Sequence, residues 1–220
     1  MKLWRIAVLA LLLVLSLLAC SSREEAEPKD ARAYLNRGIA YAKKGDMNRA
    51  LEDFSRALEL NPKYPQAYGN RGLVYYYKRD WDRAISDFSR LLELDPKDAG
   101  AYCGRGLAYE GKGDWERAMA DETRAIKLNP NYGKAYFNRG TLYYKKRDWD
   151  QALANYSKVL EIDPKDAEAY TSRGLVYYKR GDSKRALADF DRALALNPKD
   201  EKARYHKAVL SGQTGHKTSP

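Results

Sequence analysis

Histidine and cysteine are nearly missing from this chain, with two of each in 220 residues. His206 and His216 both lie near the C-terminus, and Cys20 and Cys103 are far apart in sequence. Such a distribution offers no Cys/His cluster with metal-ligand spacing and no base beside the Cys103 thiol. The GxxxxGK(S/T) phosphate loop, the GxGxxG turn and the HExxH zinc motif are absent as well. Carboxylates are abundant, yet they return at fixed intervals, as at Asp53, Asp87, Asp121 and Asp189. A residue that recurs with a repeat is structural before it is catalytic. No catalytic residue, cofactor or metal is therefore expected, and the chain is not expected to be an enzyme.

What the chain has instead is a period of 34 residues, in five copies at 31–64, 65–98, 99–132, 133–166 and 167–200. The eighth residue of each copy is glycine (Gly38, Gly72, Gly106, Gly140, Gly174) and the eleventh is tyrosine (Tyr41, Tyr75, Tyr109, Tyr143, Tyr177). Alanine is twentieth and proline thirty-second throughout. A period this strict governs every later inference. Tyr68, Gly72 and Tyr75 stand four and three apart, so they share one face of a helix. Asp80 is placed to cap a second helix that buries Ala84, Phe88, Leu91 and Leu92. Each copy thus reads as two antiparallel helices closed by proline. A glycine inside a helix costs roughly 1 kcal/mol against alanine, and close approach of the two helices at Gly72 and Ala84 is the expected compensation.

The order aromatic, Gly, Tyr, Ala, aromatic, Ala, Pro resembles the tetratricopeptide repeat, in register across residues 31–200. The resemblance implies an all-α fold, a right-handed α-solenoid of five helix–turn–helix repeats. The first helices would line a concave groove and the second helices would form its back. Residues 201–210 restart a first helix, with Ala203 matching Ala67, Ala101, Ala135 and Ala169, and are expected to form a capping helix. Residues 211–220 are expected to be a disordered tail.

The family's groove positions correspond here to Asn36, Asn70 and Asn138, to Leu73, Leu107 and Leu175, and to Lys134 and Phe137. Tyr76, Tyr77, Tyr144 and Tyr178 belong to the same implied face, where they either touch a ligand or pack between neighbouring first helices. Packed helices lie about 8–10 Å apart and an extended peptide advances about 3.3 Å per residue. One asparagine per repeat would then meet a peptide backbone at about every third residue. A protein or extended peptide is the implied partner. The family's clamp for a C-terminal carboxylate is not matched, because the companions of Lys134 and Asn70 are Gly69, Leu73 and Gly104.

Residues 1–19 carry Lys2 and Arg5 ahead of an apolar run that is shorter than the ~20 residues of a comfortable bilayer span. They read as a signal peptide. The run ends in Leu17-Leu18-Ala19-Cys20, which resembles the lipobox of bacterial lipoproteins, although Leu18 stands where a small residue is more usual. The resemblance implies cleavage before Cys20, lipid on its thiol and amine, and residues 20–30 as a polar tether. Two or more acyl chains anchor stably where one does not. The chain would be exported and held at a bacterial membrane, on the periplasmic side of the outer membrane if the source is Gram-negative, since Ser21 rather than Asp follows the cysteine. An uncleaved signal anchor with an incidental cysteine is the alternative.

Four further expectations follow from the repeat. Arg37, Arg71, Arg105 and Arg173 are expected to pair with Asp53, Asp87, Asp121 and Asp189 as an internal ladder, which Asn155 interrupts beside Arg139. Ten of the 18 tyrosines fall at the fourth and eleventh positions and are expected in the core. In the third copy Glu122 replaces an aromatic among Gly100, Gly104, Gly111 and Gly113, so it finds a cation, marks a weak point, or forms a ligand recess. Local weakness is the favoured reading. Finally, Lys43, Lys44, Lys78, Arg79, Lys112, Lys145, Lys146, Arg147, Lys179 and Arg180 all fall in turns between paired helices. With a formal net charge of +10, that edge serves solubility or attracts an anionic envelope polymer or lipid headgroups. Export argues against nucleic acid. The expected function is a membrane-anchored scaffold or adaptor that binds a protein segment in its groove during envelope biogenesis or assembly of a secretion, pilus or cell-wall complex. A basic-edge binder of anionic polymer is the alternative.

Overall fold

The computed structural model describes residues 29–212. The expected signal peptide, Cys20, nearly all of the tether and the tail from residue 213 lie outside the described residues. Within them the fold is all-α, with eleven helices and no strand. They are α1 (Ala31–Lys43), α2 (Met47–Leu60), α3 (Pro65–Tyr77), α4 (Trp81–Leu94), α5 (Ala99–Lys112), α6 (Trp115–Leu128), α7 (Gly133–Lys145), α8 (Trp149–Ile162), α9 (Ala167–Lys179), α10 (Ser183–Leu196) and α11 (Glu201–Leu210). None is long and apolar enough to cross a membrane.

The chain divides into two compact units, residues 1–62 and 63–220. In the first, α1 packs on α2 around Leu35, Ala50, Phe54 and Ala57. In the second, each first helix packs on its own second helix, and each second helix on the next first helix. First helices of successive pairs also touch, α3 on α5, α5 on α7 and α9 on α11.

Aspartate starts most of these helices. Asp46, Asp80, Asp114, Asp148 and Asp182 each accept a hydrogen bond from the backbone N–H three residues on, at 3.0–3.3 Å. Such a cap is worth about 1 kcal/mol. Where the cap is Tyr64, no side chain serves, and Pro65 opens α3 at a position whose N–H has no helical partner anyway.

The repeat glycines do allow close approach, in four copies to a ring rather than to the recurring alanine, and at Gly106 to the Glu122 carboxyl. A Cβ on Gly38 would lie 2.6 Å from the Phe54 ring, and one on Gly174 would lie 2.8 Å from Phe190. Ala50, Ala84, Ala118, Ala152 and Ala186 are fully buried beside them. At the C-terminal end α11 closes the stack with Ala203 buried and with His206 lying 5.9 Å from Phe190, ring against ring.

Candidate functional site

An arginine at the seventh position of each copy ties first helix to second. Nε and Nη2 of Arg37 donate to Asp53 at 2.8 Å each. The same two-pronged pair recurs between Arg71 and Asp87, Arg105 and Asp121, and Arg173 and Asp189, at 2.8–2.9 Å. Arg139 instead donates from Nε to Asn155 Oδ1 at 2.9 Å. The ladder is therefore internal, as the spacing predicts, with each guanidinium turned to the second helix of its own pair.

The tyrosines at the fourth and eleventh positions edge the core as the sequence implies: Tyr34 is buried, and Tyr68, Tyr75, Tyr102, Tyr136, Tyr143, Tyr170 and Tyr177 pack half-buried against core clusters. Their other faces stand beside these arginines. Arg105 lies 5.5 Å from the Tyr102 ring and 6.0 Å from Tyr109, and Arg71 is 5.8 and 5.9 Å from Tyr68 and Tyr75. Stacked rings shield a planar cation from water while leaving its N–H edge free to bond. That edge reaches further still in the second unit. Nη1 donates to a hydroxyl on the preceding second helix, from Arg105 to Ser89 at 3.1 Å, from Arg139 to Thr123 at 3.4 Å, and from Arg173 to Ser157 at 3.2 Å. In α11 Lys207 takes the arginine's place and meets Asp191 at 2.6 Å. One side chain thus fixes both the helix pair and its register on the pair before.

Beside this framework the first helices of the second unit enclose two adjoining recesses. The larger, about 460 Å³, is walled by Leu107, Phe137, Val159 and Ile162, with Tyr132, Lys134, Asp163, Asp166 and Glu168 at its polar edge and Cys103 and Asn138 in its wall. The smaller, about 320 Å³, shares Phe137 and Glu168 with it and continues past Thr141, Tyr144, Tyr156 and Leu175 to Lys145 and Lys202. Together they run across α5, α7 and α9 to α11 as one apolar surface bordered by charge.

Behind the larger recess sits Glu122, only 1% exposed. Its Oε1 accepts from Asn138 Nδ2 at 3.0 Å, while Oε2 has no partner among the described residues. No cation among them meets it. Burial pushes the carboxyl up to about 8, so it is mostly protonated at neutral pH. The same Asn138 amide donates to Cys103 Sγ at 3.1 Å. Burial first, and then the nearby Glu122 carboxylate, push the Cys103 thiol far up, which leaves it a packing group rather than a nucleophile.

The sequence-derived groove residues separate into those that meet and those that do not. Leu107, Lys134, Phe137 and Asn138 share the larger recess, and Phe137, Tyr144 and Leu175 share the smaller. Asn138 presents no free amide nitrogen, since Glu122 and Cys103 occupy it, and Asn70 donates its own to the Gln66 carbonyl at 2.7 Å. An evenly spaced asparagine ladder is thus not displayed. Asn36 is exposed on α1 in the first unit. Leu73 and Tyr77 are exposed on α3, outside both recesses, and Tyr76 packs edge-on against Tyr77 and against Trp81. Tyr178 packs into the terminal core and against His206 at 5.2 Å. Sequence reasoning missed Tyr132, Val159, Ile162, Asp163, Asp166 and Glu168, which come from the end of α8, the loops before α7 and α9, and the first turn of α9.

Comparison with known sequences agrees with this geometry. Tetratricopeptide repeat matches cover residues 31–64, 70–133, 123–154 and 140–211. The chain belongs to the tetratricopeptide repeat family. No curated protein matches it. Among solved structures it resembles YrrB, described as a tetratricopeptide protein with an unusual peptide-binding site, at 27% identity over 81% of this chain and 92% of YrrB, with a TM-score of 0.63. It also resembles TTC0263, a tetratricopeptide protein of Thermus thermophilus, at 26% identity over 82% and 98% of the two chains and a TM-score of 0.67. PilW, a type IV pilus biogenesis factor, shares the tetratricopeptide fold at 20% identity, with 84% of this chain and 87% of PilW aligned and a TM-score of 0.75. Tetratricopeptide proteins bind protein or peptide partners, and the ladder and recesses described above are this chain's form of that scaffold.

Proposed function

We propose that this tetratricopeptide protein is an envelope lipoprotein that holds an extended segment of a partner protein in the double recess between Leu107 and Leu175. The observation that carries this reading is the continuity of the two recesses through Phe137, which gives neighbouring sockets for two apolar side chains. Glu168 and Lys202 at their edge add polar contacts that fix the peptide's direction. The likeness to YrrB, itself described by its peptide-binding site, supports the same class of ligand. In this reading Cys20 carries the lipid anchor and the residues after it serve as a tether, so the scaffold works at a membrane surface during assembly of an envelope complex.

The reading is tested with the full chain in two arms. Retention of envelope partners by the wild type is compared with retention by a Leu107→Ser, Leu175→Ser variant, whose replacements lie on the recess wall and spare the arginine ladder. Loss of a partner in the variant, with helicity unchanged, is the expected result. Separately, Cys20→Ser is expected to abolish incorporation of labelled fatty acid and release the chain from membranes. A Cys20→Ser chain that stays labelled removes the anchor from the account while leaving the recess in place.

A further inference from the structure

A third cavity of about 580 Å³ opens at the turn between α7 and α8, on the far side of Tyr144 and Lys145 from the smaller recess, and is walled by Tyr144, Lys145, Arg147, Trp149 and Lys179. Three cations and two aromatic rings line it, and no carboxylate does. Lys145 is already spoken for by Glu110 at 2.7 Å. Among the described residues Arg147 and Lys179 have no carboxylate partner. Other turn cations do, since Lys112 pairs with Asp82 and Arg180 with Asp150. The Tyr144 and Trp149 rings meet edge to face, 5.4 Å apart, and form the apolar side of the cleft.

Arg147 occupies a backbone conformation that arginine does not favour. Its φ is +60°, in the left-handed region, at the repeat position where Gly45, Gly113 and Gly181 stand in three other copies. Glycine adopts that conformation freely and a residue with a Cβ does not. The side chain is thus kept at the expense of the backbone, a pattern found where a group works on something outside the fold.

Comparison among the copies shows what is special here. Arg79 has the same positive φ, and Tyr76 packs on Trp81 at 5.5 Å, but the counterpart of Lys179 is Gly111. A Cβ at Gly111 would lie 2.9 Å from the Trp81 ring, so that turn has no room for a second cation. In the third copy the left-handed residue is Gly113, and Glu110 replaces the tyrosine and neutralises Lys145. Among the described turns, only the one after α7 combines an arginine and a lysine that lack carboxylate partners with an aromatic wall.

We infer that this cleft binds a phosphodiester group, carried either by an anionic phospholipid headgroup or by a soluble glycerol phosphate. Guanidinium is a planar fork that matches two phosphate oxygens, and an ammonium opposite it supplies a point charge. The Tyr144 and Trp149 rings give the attached glycerol an apolar face to lie against. The site is separate from the recess assigned to peptide, although Tyr144 and Lys145 border both.

The full chain is titrated with glycerophosphoglycerol by calorimetry, and its flotation with phosphatidylcholine vesicles is compared with and without phosphatidylglycerol. Arg147→Gly relieves the left-handed strain, so it is expected to match or exceed wild-type thermal stability while weakening phosphodiester binding about tenfold. Lys179→Gln is expected to weaken it similarly, and Arg79→Gly, which relieves the same strain at the closed turn, to leave it unchanged. Binding of the soluble probe supports the site with either source. Binding confined to phosphatidylglycerol vesicles and lost in the two variants assigns it to lipid. Equal weakening by all three variants reduces the effect to general surface charge and overturns the proposal, as does failure of wild type to bind either probe.

Discussion

Arg139 meets Asn155 where the corresponding arginine of every other copy meets aspartate, and it makes one hydrogen bond of 2.9 Å to that residue in place of two. The ladder is thus weakest in the fourth pair, at the place where the two recesses join.

Restoring the aspartate is expected to strengthen that rung. Asn155→Asp exchanges a neutral hydrogen bond for a charge-assisted pair and is expected to raise stability by about 1 kcal/mol, read by urea denaturation. Its opposite, Arg105→Ala, strands Asp121, whose side chain is 9% exposed, and is expected to cost about 3 kcal/mol. That is the low end for a buried pair, because Arg105 itself is 21% exposed. Equal stability of Arg105→Ala and wild type removes the ladder from the account.

Glu122 makes stability depend on pH. Its folded value of about 8 lies above the ordinary 4.5. Between these values the folded chain holds a proton that the unfolded chain has released, so the contribution is complete below the lower value and lost as pH rises through the upper. Stability is expected to fall across that window by up to about 1.4 kcal/mol per pH unit from this group. Glu122→Gln is expected to abolish the slope. Glu122→Phe restores the aromatic of the other copies and is expected to gain about 1 kcal/mol at neutral pH, with part of the benefit offset because the Asn138 amide loses its acceptor.

Glycines divide by what faces them. In Gly38→Ala the new methyl would lie 2.6 Å from the Phe54 ring, and the ring's displacement is expected to cost about 1–3 kcal/mol. Gly133→Ala meets only Ile162, at 3.9 Å, and is expected to gain about 0.5 kcal/mol by restricting the unfolded chain. Thermal denaturation of the two variants with opposite signs is the expected outcome.

The sequence carried the helices and the ladder because each depends on residues a fixed distance apart within one copy. Asp80 announces a cap three residues ahead, and Arg71 and Asp87 recur with their neighbours every 34 residues. The hydroxyl contacts were equally legible in principle, since Ser89, Thr123 and Ser157 share that period. They were missed because the acceptor belongs to the previous copy. The tyrosines were legible in part: helical spacing places Tyr68 and Tyr102 against the core, where they pack, but does not show that the same rings also stand beside an arginine. The recess was only half visible. Leu107, Phe137 and Leu175 follow from family positions, whereas Val159, Ile162 and Asp163 enter it from the end of a second helix and the loop after it, outside the first-helix positions that the resemblance assigns to the groove. Asn138 shows the limit most clearly, because its amide belongs to Glu122, an exception to the period that no repeat pattern anticipates.

The double recess is the centre of this account, and crosslinking tests it most directly. Peptides selected from a random library against the full chain carry an amine-reactive group, and the modified lysines are identified by mass spectrometry. Lys134, Lys145 and Lys202 border the recesses, so crosslinks at these three, with binding weakened about tenfold by Leu107→Ser and Leu175→Ser, are the predicted result. Crosslinks gathered at Lys146 and Lys179 on the turns, with affinity indifferent to both leucine variants, would contradict it.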